Sequence, residues 1–187
     1  MKAKYKKIWQ LALPYLEKGV IKDFVLHTQG VVKAMDLLLK KEKADPDLLI
    51  PAAILHDAGW AKVPKKYQQT KNKVDRKKGM ILHIKYIPVI AEEILSKLDY
   101  KKSDINKIID IAQDHKNKNP RSLNKKLLID ADQLSDTFRE QLHSDAKSYG
   151  RTPLSMLEYR MNRNEFYTKT AKIIFKKQTD LRLKELK

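Results

Sequence analysis

The 187 residues contain no cysteine, which excludes disulfides and thiolate metal sites and fits a reducing compartment. Glycine (5) and proline (7) are also sparse, while Lys, Leu, Ile and Ala are abundant, a balance that favours helices over a sheet-rich fold. No stretch approaches the roughly 20 apolar residues a membrane span needs. The N-terminal "MKAKYKKIWQLALPYLEKG" mixes charged with apolar residues too soon for a signal-peptide core, so it reads as a short amphipathic helix. The expected location is the cytoplasm.

Acidic residues are in deficit. The formal net charge is +17, carried almost entirely by lysine. Runs such as "KKYQQTKNKVDRKK" carry few aromatics and resemble no nucleic-acid recognition module, so they read as solvated faces. Such a surface still attracts anionic small molecules. With 42% hydrophobic residues the chain is long enough for one compact core, and one domain over residues 1–187 is expected.

Helical periodicity runs almost throughout. Ile21, Phe24, Thr28, Val31, Met35 and Leu38 recur at steps of three and four. In "ADPDLLIPAAILHD" Asp45 and Pro46 form a cap and first-turn pair, and Pro51 is expected to bend or restart the helix. Residues 61–78, polar and lysine-rich, read as a loop long enough to act as a lid. Helices are expected over about 80–98, with a kink at Pro88, over the Ile105–Ala112 stripe, and from about Leu123 to His143. A basic helix or helix pair follows Thr152. The fold class is all-α, with a core over about 20–140 and a C-terminal helical extension over about 151–187.

Against that apolar background a few residues stand out. The buried-looking run Ala52-Ala53-Ile54-Leu55 ends in His56 and Asp57, just before Ala58-Gly59 lets the backbone turn. His27 keeps step with Phe24 and Val31, His115 with Ile108 and Ala112, and His83 lies near the edge of the stripe set by Ile87 and Ile90. Asp132 sits inside "LLIDADQL". Three helices thus aim an imidazole at or near the core and a fourth brings a carboxylate. Buried polar groups must be paired or must ligate something, and one metal centre satisfies them together. Imidazole and carboxylate without sulfur suit Mn, Fe, Co, Ni or Zn. Periodicity leaves Asp130 and Asp132 equivalent, because both flank the stripe of Leu127, Ala131, Leu134 and Phe138.

The order His27, His56-Asp57, Asp132 resembles the HD-domain superfamily of metal-dependent phosphohydrolases. "HTQGVVKAMDLL", "DPDLLIPAAILHDAG", "LHIKYIPVIAEEIL", "IIDIAQDH" and "LLIDADQLSD" carry the resemblance, over about residues 20–140. It implies an all-helical fold and a metal site of His27, His56, Asp57 and Asp132. It also puts His83 and His115 where binuclear members have two further ligands, with Asp57 bridging. Of the two aspartates it selects Asp132, leaving Asp130 to position a helix or support a ligand.

The chain is also similar to a bacterial branch that splits dinucleoside tetraphosphates, but "HKNKNP" and "ADQLSDTFR" depart from that branch. Members reading "HDIGK" have lysine where this chain has Trp60, and the nearest replacement is Lys62. The implied activity is hydrolysis of a phosphomonoester or phosphoanhydride, on a small phosphorylated substrate and in particular a nucleotide, by water activated on one or two divalent transition metals. Asp57 and Lys62 are the catalytic candidates, and Lys62, Lys65, Lys66 and Arg121 the candidates for holding phosphate. The rival readings are a binuclear-iron oxygenase of the same fold, which the six ligands permit, and a basic nucleic-acid-binding protein, which the charge permits.

Overall fold

The most apolar stretch of the chain becomes the centre of the molecule. In the computed structural model, which describes residues 2–186, helix α3 (Pro46–Leu55) has every residue from Leu49 to Leu55 buried. A helix that is apolar all round has to be surrounded by others. Asp45 starts it, accepting a hydrogen bond from the Asp47 N–H at 2.8 Å, with Pro46 in the first turn where its missing N–H costs nothing. The helix does not restart at Pro51 but continues through it. One lost backbone hydrogen bond is outweighed by burial on all sides, where each large aliphatic side chain contributes about 1.5–3 kcal/mol.

Around α3 pack α1 (Ala3–Leu16), α2 (Phe24–Leu39), α6 (Lys102–Gln113) and α7 (Leu123–Ser135). In α1 the buried set Tyr5, Ile8, Ala12 and Leu16 has the expected amphipathic spacing. Helix α2 lies along α7, and α5 (Lys73–Ser96) lies against α6 and against a short 3-10 turn (Ala58–Lys62) that leaves the end of α3. Among the described residues there is no strand, and no helix is long and apolar enough to cross a membrane.

Two expected boundaries move. The segment 61–78 is not a long loop: it contains the end of the 3-10 turn, the short helix α4 (Lys65–Gln68) and the first residues of α5. Gln68 is buried and pins it, donating to the carbonyls of Trp60 and Val63 and accepting from the Val20 N–H. Asn72 then caps α5 through the N–H groups of Val74 and Asp75. The helix expected to reach His143 ends instead at Ser135, and α8 (Arg139–Ser148) begins after a break. There the hydroxyls of Ser135 and Thr137 donate to the carbonyls of Asp132 and Leu134, competing with the helical ladder.

The C-terminal part is a pair of helices, α9 (Pro153–Arg163), capped by Thr152, and α10 (Lys169–Leu186). Ala171 joins the main apolar cluster, with Phe166 and Phe175 packed against it. Leu142, Ala146, Met156 and Leu157 form a smaller cluster with Leu183 and Leu186.

Candidate metal centre

Helix ends and helix faces converge on one carboxylate. His56 follows the last residue of α3, and Asp57 stands at the break between α3 and the 3-10 turn. The next residue but one, Gly59, lets that turn press against α5. A Cβ at Gly59 would lie 1.9 Å from the carbonyl oxygen of His83. His27 projects from α2, His83 from α5, His115 follows the end of α6, and Asp132 belongs to α7. All six residues are buried.

Asp57 Oδ2 lies 3.5 Å from His27 Nε2 and 3.4 Å from His56 Nε2. Its other oxygen, Oδ1, lies 3.6 Å from His83 Nε2 and 3.5 Å from His115 Nε2. Asp132 Oδ1 completes the first group, 3.0 Å from His27 Nε2 and 3.9 Å from His56 Nε2. Two triads result, His27–His56–Asp57 and Asp57–His83–His115, each with one ligand atom per residue mutually within 4.8 Å. Asp57 is common to both.

The hydrogen bonds fix which ring nitrogens are free. His56 Nδ1 lies 2.8 Å from the Ala53 carbonyl and His115 Nδ1 lies 2.7 Å from the Ala112 carbonyl. A carbonyl only accepts, so each Nδ1 carries the proton and each Nε2 offers its lone pair inward. His27 Nδ1 is held by the Ser135 hydroxyl at 3.2 Å. The His83 ring is fixed by stacking on Trp60, with ring centres 4.4 Å apart and planes at 5°. His27 Nε2, His56 Nε2 and Asp57 Oδ1 make no hydrogen bond although buried. Lone pairs of imidazole aimed at carboxylate oxygens repel unless a cation stands between them. The donor set therefore fits a metal, one ion in each triad with Asp57 shared, and its nitrogen and oxygen composition suits Mn, Fe, Co, Ni or Zn.

An HD domain family model matches residues 24–137, a span that contains all six of these residues. The chain belongs to the HD-domain family. That family is a superfamily of metal-dependent hydrolases. The chain is also similar in fold to a crystal structure described as a predicted HD superfamily hydrolase, from an uncultured Thermotogales bacterium. The TM-score is 0.62 at 18% identity, with 97% of this chain and 88% of that chain covered. No curated protein matches.

Two lysines beside this centre escape the sequence reading. Lys116 Nζ lies 2.6 Å from Asp132 Oδ2, and Lys22 Nζ lies 3.6 Å from Asp57 Oδ2. Both had a positional signal. Lys116 directly follows His115, and Lys22 precedes Asp23, which caps the helix carrying His27 through the Leu26 N–H. Lys62, Lys65, Lys66 and Arg121 are instead exposed, and among the described residues none forms an ion pair with the cluster. The charge of Lys62 acts on Glu93, on the exposed side of α5, and Lys66 lies over the Tyr67 ring. His143 is exposed.

Burial is the largest influence on the protonation of the centre. It would raise the Asp57 and Asp132 carboxyls. For Asp57, His56 and then Lys22 outweigh it; for Asp132, Lys116 and then His27 do so, and both carboxyls are held well below the usual range. Burial pushes His27 down from 6.5 to about 4 and His83 to about 3, and lowers His115. His27, His83 and His115 are thus neutral at pH 7.

The same shifts set an acid sensitivity. Between pH 6.5 and about 4 the unfolded chain protonates His27 while the folded one does not, so the unfolded state binds more protons and stability falls as pH falls. Depressed Asp57 and Asp132 act in the same direction at still lower pH. For the metal-free protein, lowering the pH from 7 toward 4 should cost on the order of 3 kcal/mol from His27 alone. Urea midpoints measured across that range check it; a flat profile would show that the rings are not buried neutral.

Proposed function

We propose that this chain is a phosphohydrolase, in which a centre of one or two divalent transition metals cleaves a phosphomonoester or phosphoanhydride, with nucleotides as the leading substrates. The observation that supports it most is the pairing of the Asp57-centred donor set with two ammonium groups beside it. Bound there, divalent cations supply water activated at neutral pH and positive charge against phosphoryl oxygens.

The residues of the chain supply the rest. His27, His56, Asp57 and Asp132 would hold one ion, and Asp57, His83 and His115 a second. Ser135 and the Ala53 and Ala112 carbonyls hold three of the rings with Nε2 turned toward Asp57. Lys22 and Lys116 now neutralise Asp57 and Asp132. Once cations take over that neutralisation, both ammonium groups are available to the oxygens of a substrate phosphate, the role first assigned to Lys62, Lys65, Lys66 and Arg121. The same two lysines favour phosphate chemistry over the binuclear-iron oxygenase reading, since dioxygen brings no anionic charge for them to meet. Packing of α9 and α10 against the same apolar clusters supports residues 1–187 as one domain.

The test is phosphate release from nucleoside mono-, di- and triphosphates and from p-nitrophenyl phosphate, after loading with Mn, Fe, Co, Ni or Zn in turn. No release by protein that demonstrably holds metal would sink the hydrolase reading, and oxygen uptake by the iron form would replace it. Elemental analysis of His83→Ala beside wild type resolves the second ion. The variant is expected to retain one metal per chain where wild type holds two. Equal metal content in the two proteins would restrict the centre to His27, His56, Asp57 and Asp132.

A further inference from the structure

Next to the metal centre the surface gathers several guanidinium groups, and among the described residues two of them form no ion pair. A cavity of about 280 Å³ opens over Asp132 and is lined by Lys22 and Lys116. A second, of about 260 Å³, adjoins it, and Tyr149, Tyr159 and Arg160 line both. The far side of the second cavity is made by Arg76 from α5 and Arg151 from the turn before α9. The two cavities therefore form one cleft that starts at the centre and ends between two arginines.

The charge of the far part is one-sided. Its lining contains three arginines and no carboxylate. Arg160 is already neutralised, by Asp136 at 3.0 Å and Asp145 at 2.8 Å. Among the described residues Arg76 and Arg151 form no ion pair, although acidic partners are available elsewhere on the chain. Tyr159 holds Arg151 in place, with the guanidinium carbon 4.7 Å from the ring centre. Two like charges brought to one concave site, one of them oriented by an aromatic ring, constitute a receptor for an anion.

We propose that Arg76 and Arg151 form a second anion-binding subsite, which receives a phosphate carried by the substrate at a distance from the one being cleaved. The substrate class is then a molecule with two separated phosphate groups. One lies over the Asp57 centre near Lys22 and Lys116; the other is gripped by Arg76 and Arg151. The connecting part crosses Tyr149, which lines both cavities and offers a ring for a sugar or a base. This inference rests on the phosphohydrolase reading for the orientation of the substrate, but the subsite itself is a matter of binding.

The experiment is titration calorimetry on manganese-loaded protein with two probes: adenosine monophosphate, and the adenosine bisphosphate that carries a phosphate at each end of its ribose. Wild type is compared with Arg76→Ala/Arg151→Ala and with Arg151→Lys, and phosphate release is followed in parallel. The bisphosphate is expected to bind about tenfold more tightly than the monophosphate, the value of one or two charge-assisted hydrogen bonds. That ratio should fall to near unity in the double alanine variant and be partly kept by Arg151→Lys. Equal affinity for the two probes in wild type, no binding of either, or a preference that survives the double substitution would each overturn the subsite. A preference lost in the variant, with no phosphate released from either probe, would leave the subsite standing and remove the hydrolase reading instead.

Discussion

Asp57→Asn is expected to empty both halves of the centre and to lower phosphate release by at least about 10³-fold, since the metal's contribution to the transition state is worth several kcal/mol. Every other ligand candidate serves one triad, whereas Asp57 reaches His27 and His56 through Oδ2 and His83 and His115 through Oδ1. Asparagine has nearly the same shape but puts a neutral oxygen on one side and an NH₂ donor on the other. The donor would point at an imidazole lone pair, which excludes a cation there and satisfies a nitrogen now left without a hydrogen bond. The metal-free variant should be less stable than metal-free wild type, because the neutral amide gives up the ion pair with Lys22 that helps hold the Asp57 carboxyl charged. Elemental analysis, phosphate release and urea unfolding on the same samples check all three parts. A variant that kept wild-type metal content would show that Asp57 does not bridge.

How far the sequence predicts this centre depends on what each residue's signal consists of. His27 and His115 were legible because an imidazole on an apolar helical stripe breaks a pattern, and the structure buries both. The helical character of the fold was legible for the same reason, from stripes such as Phe24, Thr28, Val31 and Met35. Lys22 and Lys116 carry only their position beside Asp23 and His115, since lysine is the commonest charge in the chain and a side chain with four flexible carbons gives no periodic clue to where its ammonium goes. The 61–78 segment is ordered although its polar composition reads as loop. Its order comes from Gln68, whose hydrogen bonds to Trp60, Val63 and the distant Val20 are invisible until the fold is known. The break after Ser135 was similarly hidden, because it arises from hydroxyls that turn back onto the helix.

Asp130 and Asp132 show the limit most clearly, and their separation yields the second large effect. Two residues apart on α7, they face different neighbours: Asp132 turns to His27 and Lys116, while Asp130 turns to the start of α10. Asp130 Oδ1 accepts from the Tyr167 N–H at 2.8 Å. Its Oδ2 accepts from the Thr168 N–H at 2.9 Å and from the Thr168 hydroxyl at 2.7 Å. Thr168 Oγ1 in turn accepts from the Ala171 N–H. A carboxylate from one helix thus closes the N-terminal end of another, where unpaired N–H groups and the helix dipole favour negative charge. Gln133, one turn further along α7, clamps the same strip of chain through both the N–H and the carbonyl of Glu165.

Asp130→Ala leaves the buried N–H and hydroxyl of Thr168 and the half-buried N–H of Tyr167 without their partner. With each orphaned buried group costing about 1–3 kcal/mol, the loss should reach about 3 kcal/mol or more, a large share of the 5–15 kcal/mol typical of a folded domain. Asp130→Asn keeps one acceptor and should fall between. Because the damage is local to the α7–α10 junction, amide exchange at Tyr167, Thr168 and Ala171 should accelerate before the rest of the protein unfolds. Metal content should stay at the wild-type value in Asp130→Ala and drop in Asp132→Ala. A loss of metal with unchanged stability in Asp130→Ala would reverse the roles of the two aspartates and shift the centre one face around α7.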